Sequence, residues 1–127
     1  MSLTVTLAYP PSTNRLVRMA NGIAYKPKPV RDWTKDAVQR LRAAGANLVD
    51  GEVAVQVLLH PKATKKGVAF RRRIDLDNAI KATLDACQGV VFVDDQQVVR
   101  LSAALAPAKP DGGLTVTVAP ADDGGHA

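Results

Sequence analysis

The sequence predicts one α/β (α+β) domain, a small mixed sheet with helices packed on it. Three observations lead there. Segments near residues 3–9 and 53–59 alternate apolar and polar side chains with period two. Two other segments place apolar residues at helical spacing, and the elements follow the order β-α-β-α-β-β. At 127 residues the chain is too short for two ordinary domains and long enough for a real core.

Leu3, Val5, Leu7 and Tyr9 alternate with Ser2, Thr4, Thr6 and Ala8, which predicts a strand with one buried face. Pro10-Pro11 stops it. Residues 12–28 read as a loop carrying Asn14, Arg15, Arg18, Asn21 and Gly22. Val30, Trp33, Ala37, Leu41 and Ala44 then line one side of a helix, with Gly45 as its C-cap and Arg31, Lys35 and Arg42 opposite. Val53, Val55, Val57 and Leu59 form the second strand, which runs into Pro61 and a loop to Ile74.

A second helix is expected from about Asp77 to Gln88. Leu76, Ile80, Leu84 and Cys87 line one side, and Ala79, Ala82 and Ala86 permit close packing. Asp77, Lys81, Asp85 and Gln88 share a polar stripe. Gly89 ends the helix, and Val90 to Val93 lead into Asp94-Asp95. A third strand covers roughly residues 97–105, and the turn at 109–113 returns the chain as a fourth at 114–118. From Ala119 the chain is small, acidic and glycine-rich, so the domain is expected to occupy 1–118 and 119–127 to form a disordered tail.

Composition narrows the function. Lys plus Arg number 17 against 12 acids, a net charge of +5, which favours an anionic partner. The lone cysteine, Cys87, excludes an internal disulfide and suits a reducing cytoplasm. No apolar stretch approaches the ~20 residues of a membrane span, and the start of the chain does not read as a signal peptide. No zinc-type His/Cys cluster, Ser/His/Asp triad, P-loop or dinucleotide fingerprint is present.

The chemistry concentrates in Arg71-Arg72-Arg73-Ile74-Asp75-Leu76-Asp77-Asn78-Ala79-Ile80-Lys81. Arginines grip phosphates, and paired carboxylates hold a hard divalent cation. Asp75 and Asp77 stand where a basic loop becomes a helix. A cap would need one acid; this site supplies two. Lys81, four residues after Asp77, is either an ordinary helix pair or a charge aimed at a phosphate. Asp94-Asp95 reads as a polar turn or as further metal ligands. With both acidic pairs at one end of the sheet the carboxylates would converge, and a divalent ion would offset their repulsion. The loop from Pro61 to Ile74 carries Lys62, Lys65, Lys66, Arg71, Arg72 and Arg73 and no acid, either as a solvated surface or as a sequence-independent grip on a nucleic-acid backbone. Aromatic residues make up only 4%, which argues against a single-strand platform built on base stacking.

These residues resemble the RusA family of Holliday junction resolvases of bacteria and their prophages. The resemblance rests on Arg71 to Lys81, then Asp85-Ala86, Phe92-Val93-Asp94-Asp95 and Gln97-Val98-Val99, and on Tyr9-Pro10-Pro11-Ser12-Thr13-Asn14-Arg15, which is similar to the family's Pro-Pro-Ser-x-Asn opening. It covers nearly the whole chain apart from the tail. It implies a RusA-like fold and a Mg2+-dependent endonuclease, with Mn2+ as a substitute, that nicks four-way DNA junctions in recombination and repair. It implies a homodimer with no membrane and no small-molecule cofactor. Asp75, Asp77 and Asp95 match the family's essential acids, Lys81 its essential lysine, and Asp94 is the neighbouring acid. Asn14, Arg15 and the cations of the basic loop are expected to contact DNA. Ile74 departs from the pattern, standing where the family often carries another basic residue. Two other functions fit the residues: a DNA-binding protein whose acids only cap and turn, and a metal nuclease acting on flaps or plain duplex.

Overall fold

The computed structural model describes residues 2–11, 18–20, 22–70 and 72–121. Its elements are β1 (Leu3–Leu7), β2 (Arg18–Ala20), β3 (Ile23–Tyr25), α1 (Lys28–Ala43), β4 (Val53–His60), α2 (Leu76–Cys87), β5 (Val98–Leu105) and β6 (Gly113–Pro120). The main sheet has the order β1-β6-β4-β5, with β4 and β5 parallel and the other neighbours antiparallel. This is the mixed sheet the sequence predicts. Among the described residues no helix is long and apolar enough to cross a membrane.

The alternating strands and the helical stripes meet in one layer of core. Val53, Val55, Val57 and Leu59 of β4, Leu114, Val116 and Val118 of β6, and Val5 and Leu7 of β1 are all buried. Trp33, Ala37 and Leu41 of α1 cover them, and burying each of the larger of these side chains stabilises the fold by roughly 1.5–3 kcal/mol. On α2 the buried residues are Ala79, Ala82, Thr83, Ala86 and Cys87. Leu76, Ile80 and Leu84, expected to lead that face, are only half-buried. The small side chains bring the helix close to the sheet, and the larger ones flank the contact. Burial pushes the Cys87 thiol up to about 12, so it remains a protonated core group.

Both glycine stops act as read. Gly45 takes a φ of 93°, donates to Arg42 O and is followed by a bond from Ala46 N to Leu41 O, a Schellman ending for α1. Gly89, at φ 83°, closes a turn onto Phe92 O after α2.

Two expectations need correction. Residues 18–25 lie within the expected loop, yet β2 and β3 pair as a short hairpin, Arg18 with Tyr25 and Ala20 with Ile23. The strand expected to stop at Val118 continues to Pro120, and buried Ala121 donates to Glu52 O at 2.9 Å. Residues 119–121 therefore belong to the sheet, because Glu52 and the start of β4 offer them backbone partners. The remainder of the expected tail, 122–127, lies outside the described residues.

The two ends of β4 mark the two ends of the sheet. β5 starts at the Val53 end, where Val53 pairs with Val98, and finishes at the His60 end, where Leu59 pairs with Leu105. α2 crosses between them. It leaves from the His60 end, where Ile74 N donates to the Tyr9 hydroxyl at 2.9 Å, and returns to the Val53 end, where Val49 N bonds Val91 O at 2.7 Å.

Candidate active site

The loop after β4 is held as a small folded arm. Lys109 N donates to Pro61 O at 2.9 Å and Ala63 N to Lys109 O at 2.8 Å. Phe70 N reaches Lys62 O at 2.9 Å and Thr64 N reaches Val68 O at 2.7 Å, with Gly67 turning the tip at a φ of 80°. Lys65 and Lys66 stand exposed at that tip, and Arg72 and Arg73 are exposed at its exit. Lys62 lies over the Tyr9 ring, its Nζ 5.1 Å from the centroid. Gly112 makes this packing possible: its φ is 67°, and a Cβ there would come within 2.6 Å of Tyr9 Cδ1 and 3.0 Å of His60 O. His60 ties the same end together, its Nδ1 2.8 Å from Pro107 O and its Nε2 2.8 Å from Thr115 Oγ1.

Tyr9 also positions the acids. Its hydroxyl accepts the Ile74 amide, and the Ile74 side chain is buried in the core. A basic residue here could reach a phosphate only by leaving the core, so Ile74 anchors the site and Arg72 and Arg73 flank it. Arg73 donates from Nη1 to Ile74 O at 3.0 Å. Asp75 is the N-cap residue of α2 by position, yet its side chain makes no capping bond, and it is exposed. Asp77, in the first turn, accepts the adjacent Asn78 amide at Oδ1, 3.1 Å, with no other side-chain hydrogen bond among the described residues, and is also exposed. Lys81, one turn on, is exposed and makes no ion pair among the described residues. Asp85, its other neighbour along the stripe, faces Lys26 at 3.8 Å. Capping therefore does not account for Asp75, nor helix pairing for Lys81.

Asp94 and Asp95 differ. Asp94 caps a single 3-10 turn (Asp95–Gln97): its Oδ1 accepts Gln96 N at 2.9 Å. Gln97 completes the box, its Oε1 accepting Val93 N at 2.9 Å and Asp94 N at 3.1 Å. The Gln97 amide then donates to Val49 O at 2.9 Å and Gly51 O at 2.8 Å, pinning the turn to the chain before β4. Asp95 is exposed, and its carboxylate has no hydrogen-bond partner among the described residues. Gln97 and Tyr9 carry this architecture, and the role of Tyr9 is not evident from motif alone. The Asp94-x-x-Gln97 spacing is a capping-box signature that points to the first of them.

The two acidic pairs stand at opposite ends of the sheet. Asp75 and Asp77 lie at the His60 end beside Tyr9, and Asp94 and Asp95 at the Val53 end beside Val49 and Gly51. The 12 residues of α2 separate them, about 18 Å of helix. Ligands of Mg2+ lie about 2.1 Å from the ion, and among the described residues no three His, Cys, Asp or Glu side chains form a metal-binding group. The convergence expected from the sequence does not occur within one chain. Asp75, Asp77, Lys81, Lys62, Lys65, Lys66, Arg72 and Arg73 are brought to one end; Asp94 and Asp95 are not. Asn14, Arg15 and Arg71 lie outside the described residues.

The family model for Endodeoxyribonuclease RusA matches residues 8–119. The chain belongs to the RusA family. Among its relatives is the crossover junction endodeoxyribonuclease RusA of Escherichia coli strain K12, 29% identical over 116 residues, covering 91% of this chain and 92% of that protein. The enzyme of the same name from Enterobacteria phage 82 is 31% identical over 115 residues, 90% of this chain and 91% of the relative. That of Aquifex aeolicus is 26% identical over 112 residues, 87% and 83%. The match spans both acidic pairs and the basic arm of this RusA-family chain, and each relative bears the name of an endodeoxyribonuclease.

Proposed function

We propose that this chain is a Mg2+-dependent endonuclease that resolves four-way DNA junctions by paired nicks, and that each of its active sites is shared between two copies of the chain. The observation that carries the reading is the separation of the acids. Asp75 and Asp77 are exposed beside a cationic arm, Asp75 with no side-chain capping bond, while the Asp95 carboxylate has no hydrogen-bond partner among the described residues at the far end of the sheet. All three are hard oxygen donors suited to Mg2+, but one chain offers only two of them in one place. A second copy turned end for end supplies the third. Asp94 is committed to its turn, which favours Asp95 as the ligand.

Asp75, Asp77 and the partner's Asp95 would hold the Mg2+, which would supply Lewis-acid activation of the phosphate and of the attacking water. The chain's own side chains do the remaining work. Lys62, Lys65, Lys66, Arg72 and Arg73 draw the backbone in without reading sequence. Lys81, a turn along α2 from Asp77, offsets charge developing on the phosphate. Cleavage leaves a 5′-phosphate and a 3′-hydroxyl, ends a ligase can seal. A two-fold dimer presents two such sites to two opposed strands.

Mixing experiments test the shared site. Asp77→Asn and Asp95→Asn chains, each inactive alone, are mixed, allowed to exchange and assayed on a four-way junction. In a mixed dimer one site combines intact Asp75 and Asp77 with an intact Asp95, so nicking of one strand returns in Mg2+ and not in EDTA. Sites built within single chains leave the mixture dead. A flap and a linear duplex assayed at equal salt check that the preferred substrate is the junction.

A further inference from the structure

We infer that Phe70, with Val68 beside it, stacks on a nucleobase exposed at the branch point of the junction, and that this contact makes the chain prefer branched DNA to continuous duplex. The role rests on the junction reading proposed above and gives the basic arm a residue that selects the branch.

The arm is a short hairpin. Ala63 and Ala69 bridge in antiparallel sense, and the bonds from Phe70 N to Lys62 O at 2.9 Å and from Thr64 N to Val68 O at 2.7 Å flank that bridge. Residues opposite each other in such a pair share a side. Lys62, Thr64, Val68 and Phe70 therefore share one side of the arm, and the two alanines the other. On that side Phe70 is 51% exposed and Val68 63%. A single exposed apolar side chain is ordinary on a protein surface. Here two stand together on an arm whose other long side chains, Lys62, Lys65 and Lys66, are cations. Tyr25, also exposed, ends in a hydroxyl that water can serve; the Phe70 ring has no polar atom.

The same side of the arm is turned toward the acids. Lys62, opposite Phe70, carries its Nζ to the Tyr9 ring, and the Tyr9 hydroxyl holds the Ile74 amide directly before Asp75. The chain from Phe70 to Asp75 spans at most about 17 Å, about five base steps along one strand. The ring therefore meets DNA close to the phosphate that Asp75 and Asp77 address.

Charge and shape select the occupant. Residues 61–74 contain no acid, and Lys65, Lys66, Arg72 and Arg73 are exposed on either side of the ring along the chain, placed to take phosphates. Within continuous duplex each base is covered by its neighbours, and a side chain enters only by unstacking them. Around the centre of an open four-way junction the base pairs lack a neighbour on one side. An aromatic ring there supplies the missing stack without that cost. One such base needs one ring, so the 4% aromatic content that argues against a stacking platform is no obstacle.

Fluorescence anisotropy in EDTA, with a four-way junction and a linear duplex at equal salt, tests the contact. Phe70→Ala should weaken junction binding about tenfold, within the range for loss of one base–aromatic stack. Duplex binding should change by less than about twofold, because the phosphate contacts remain. Phe70→Trp should bind like the wild type. Phe70→Leu, apolar but without a π face, should fall with Phe70→Ala. Melting midpoints should not move, since the ring is exposed. 2-Aminopurine at the crossover should change its emission on binding the wild type and not on binding Phe70→Ala. Equal losses on junction and duplex, or a Phe70→Leu chain that binds like the wild type, overturn the stack and leave the junction reading standing. Junction affinity unaltered in Phe70→Ala overturns it too, and leaves Val68 and Phe70 as a surface for an apolar protein partner. A wild type that binds and nicks junction and duplex equally well overturns the junction reading, and the stack with it.

Discussion

Asp94 accepts the Gln96 amide through Oδ1 at 2.9 Å, while the carboxylate of Asp95 beside it meets no donor among the described residues. Adjacent, chemically identical side chains should therefore respond differently to substitution. Asp94→Ala removes a cap worth about 1 kcal/mol, which lowers the melting midpoint by about 4 °C, and leaves substantial nicking. Asp95→Asn keeps the melt and abolishes nicking. Differential scanning fluorimetry beside a nicking assay reads both; equal loss of activity with equal loss of stability would make the pair a turn and nothing more. Lys81 is decided in a similar way. It has no ion pair among the described residues, so its contribution to stability should be small. If it offsets charge in the transition state, Lys81→Ala should slow single-turnover nicking about 10²-fold. A rate within about threefold of wild type would leave only a helix pair of roughly 0.3 kcal/mol. Much of this was legible in sequence: two acids crowd a helix start after three arginines, and one cap cannot need both. Which of Asp94 and Asp95 is free was not legible, because it depends on where the Gln97 side chain goes.

The basic arm and the strand that braces it act as elements. Lys65, Lys66, Arg72 and Arg73 are exposed on a loop with its own internal bonds, so changing all four to Gln should leave the fold intact. Binding to junction DNA should weaken, and the log–log salt slope should fall by about 0.9 for each phosphate that the arm no longer neutralises. An unaltered slope means that the arm faces solvent. Tyr9→Phe tests the brace. It removes the acceptor for the Ile74 amide, at a cost of about 1 kcal/mol, and should reduce nicking more than binding because Asp75 comes directly after Ile74. Similar losses in nicking and binding would show that Tyr9 does not position the acid. At this scale the alternation of β1 and β4 and the stripe of α1 were readable because each is set by a local period. The β2–β3 hairpin escaped because three-residue strands are too short to show alternation, although Asn21-Gly22 is a hairpin signal. The half-burial of Leu76, Ile80 and Leu84 escaped for a different reason. It depends on β5 being an edge strand, which leaves one flank of α2 without cover.

At the scale of the molecule the decisive fact is the parallel pairing of β4 with β5. A helix that joins two parallel neighbours must run back along them, so its start and the chain after its end lie at opposite ends of the sheet. Asp75 and Asp95 are split by that topology, and no local pattern reveals it, because pairing direction is a long-range property. The split has a thermodynamic consequence. If Mg2+ binds only where Asp75 and Asp77 of one copy meet the partner's Asp95, ion binding and dimer formation are linked. Each of two sites multiplies the association constant by one plus the ratio of free Mg2+ to its dissociation constant. At a ratio of ten the two factors together strengthen the dimer about a hundredfold. Sedimentation equilibrium at several Mg2+ concentrations should show this rise, and Ca2+ at the same ionic strength serves as a control for cation size. Asp95→Asn should retain the basal dimer and lose the Mg2+ dependence. A dimer whose association constant ignores Mg2+ in the wild type would mean that the ion binds within single chains, and the shared site would fall.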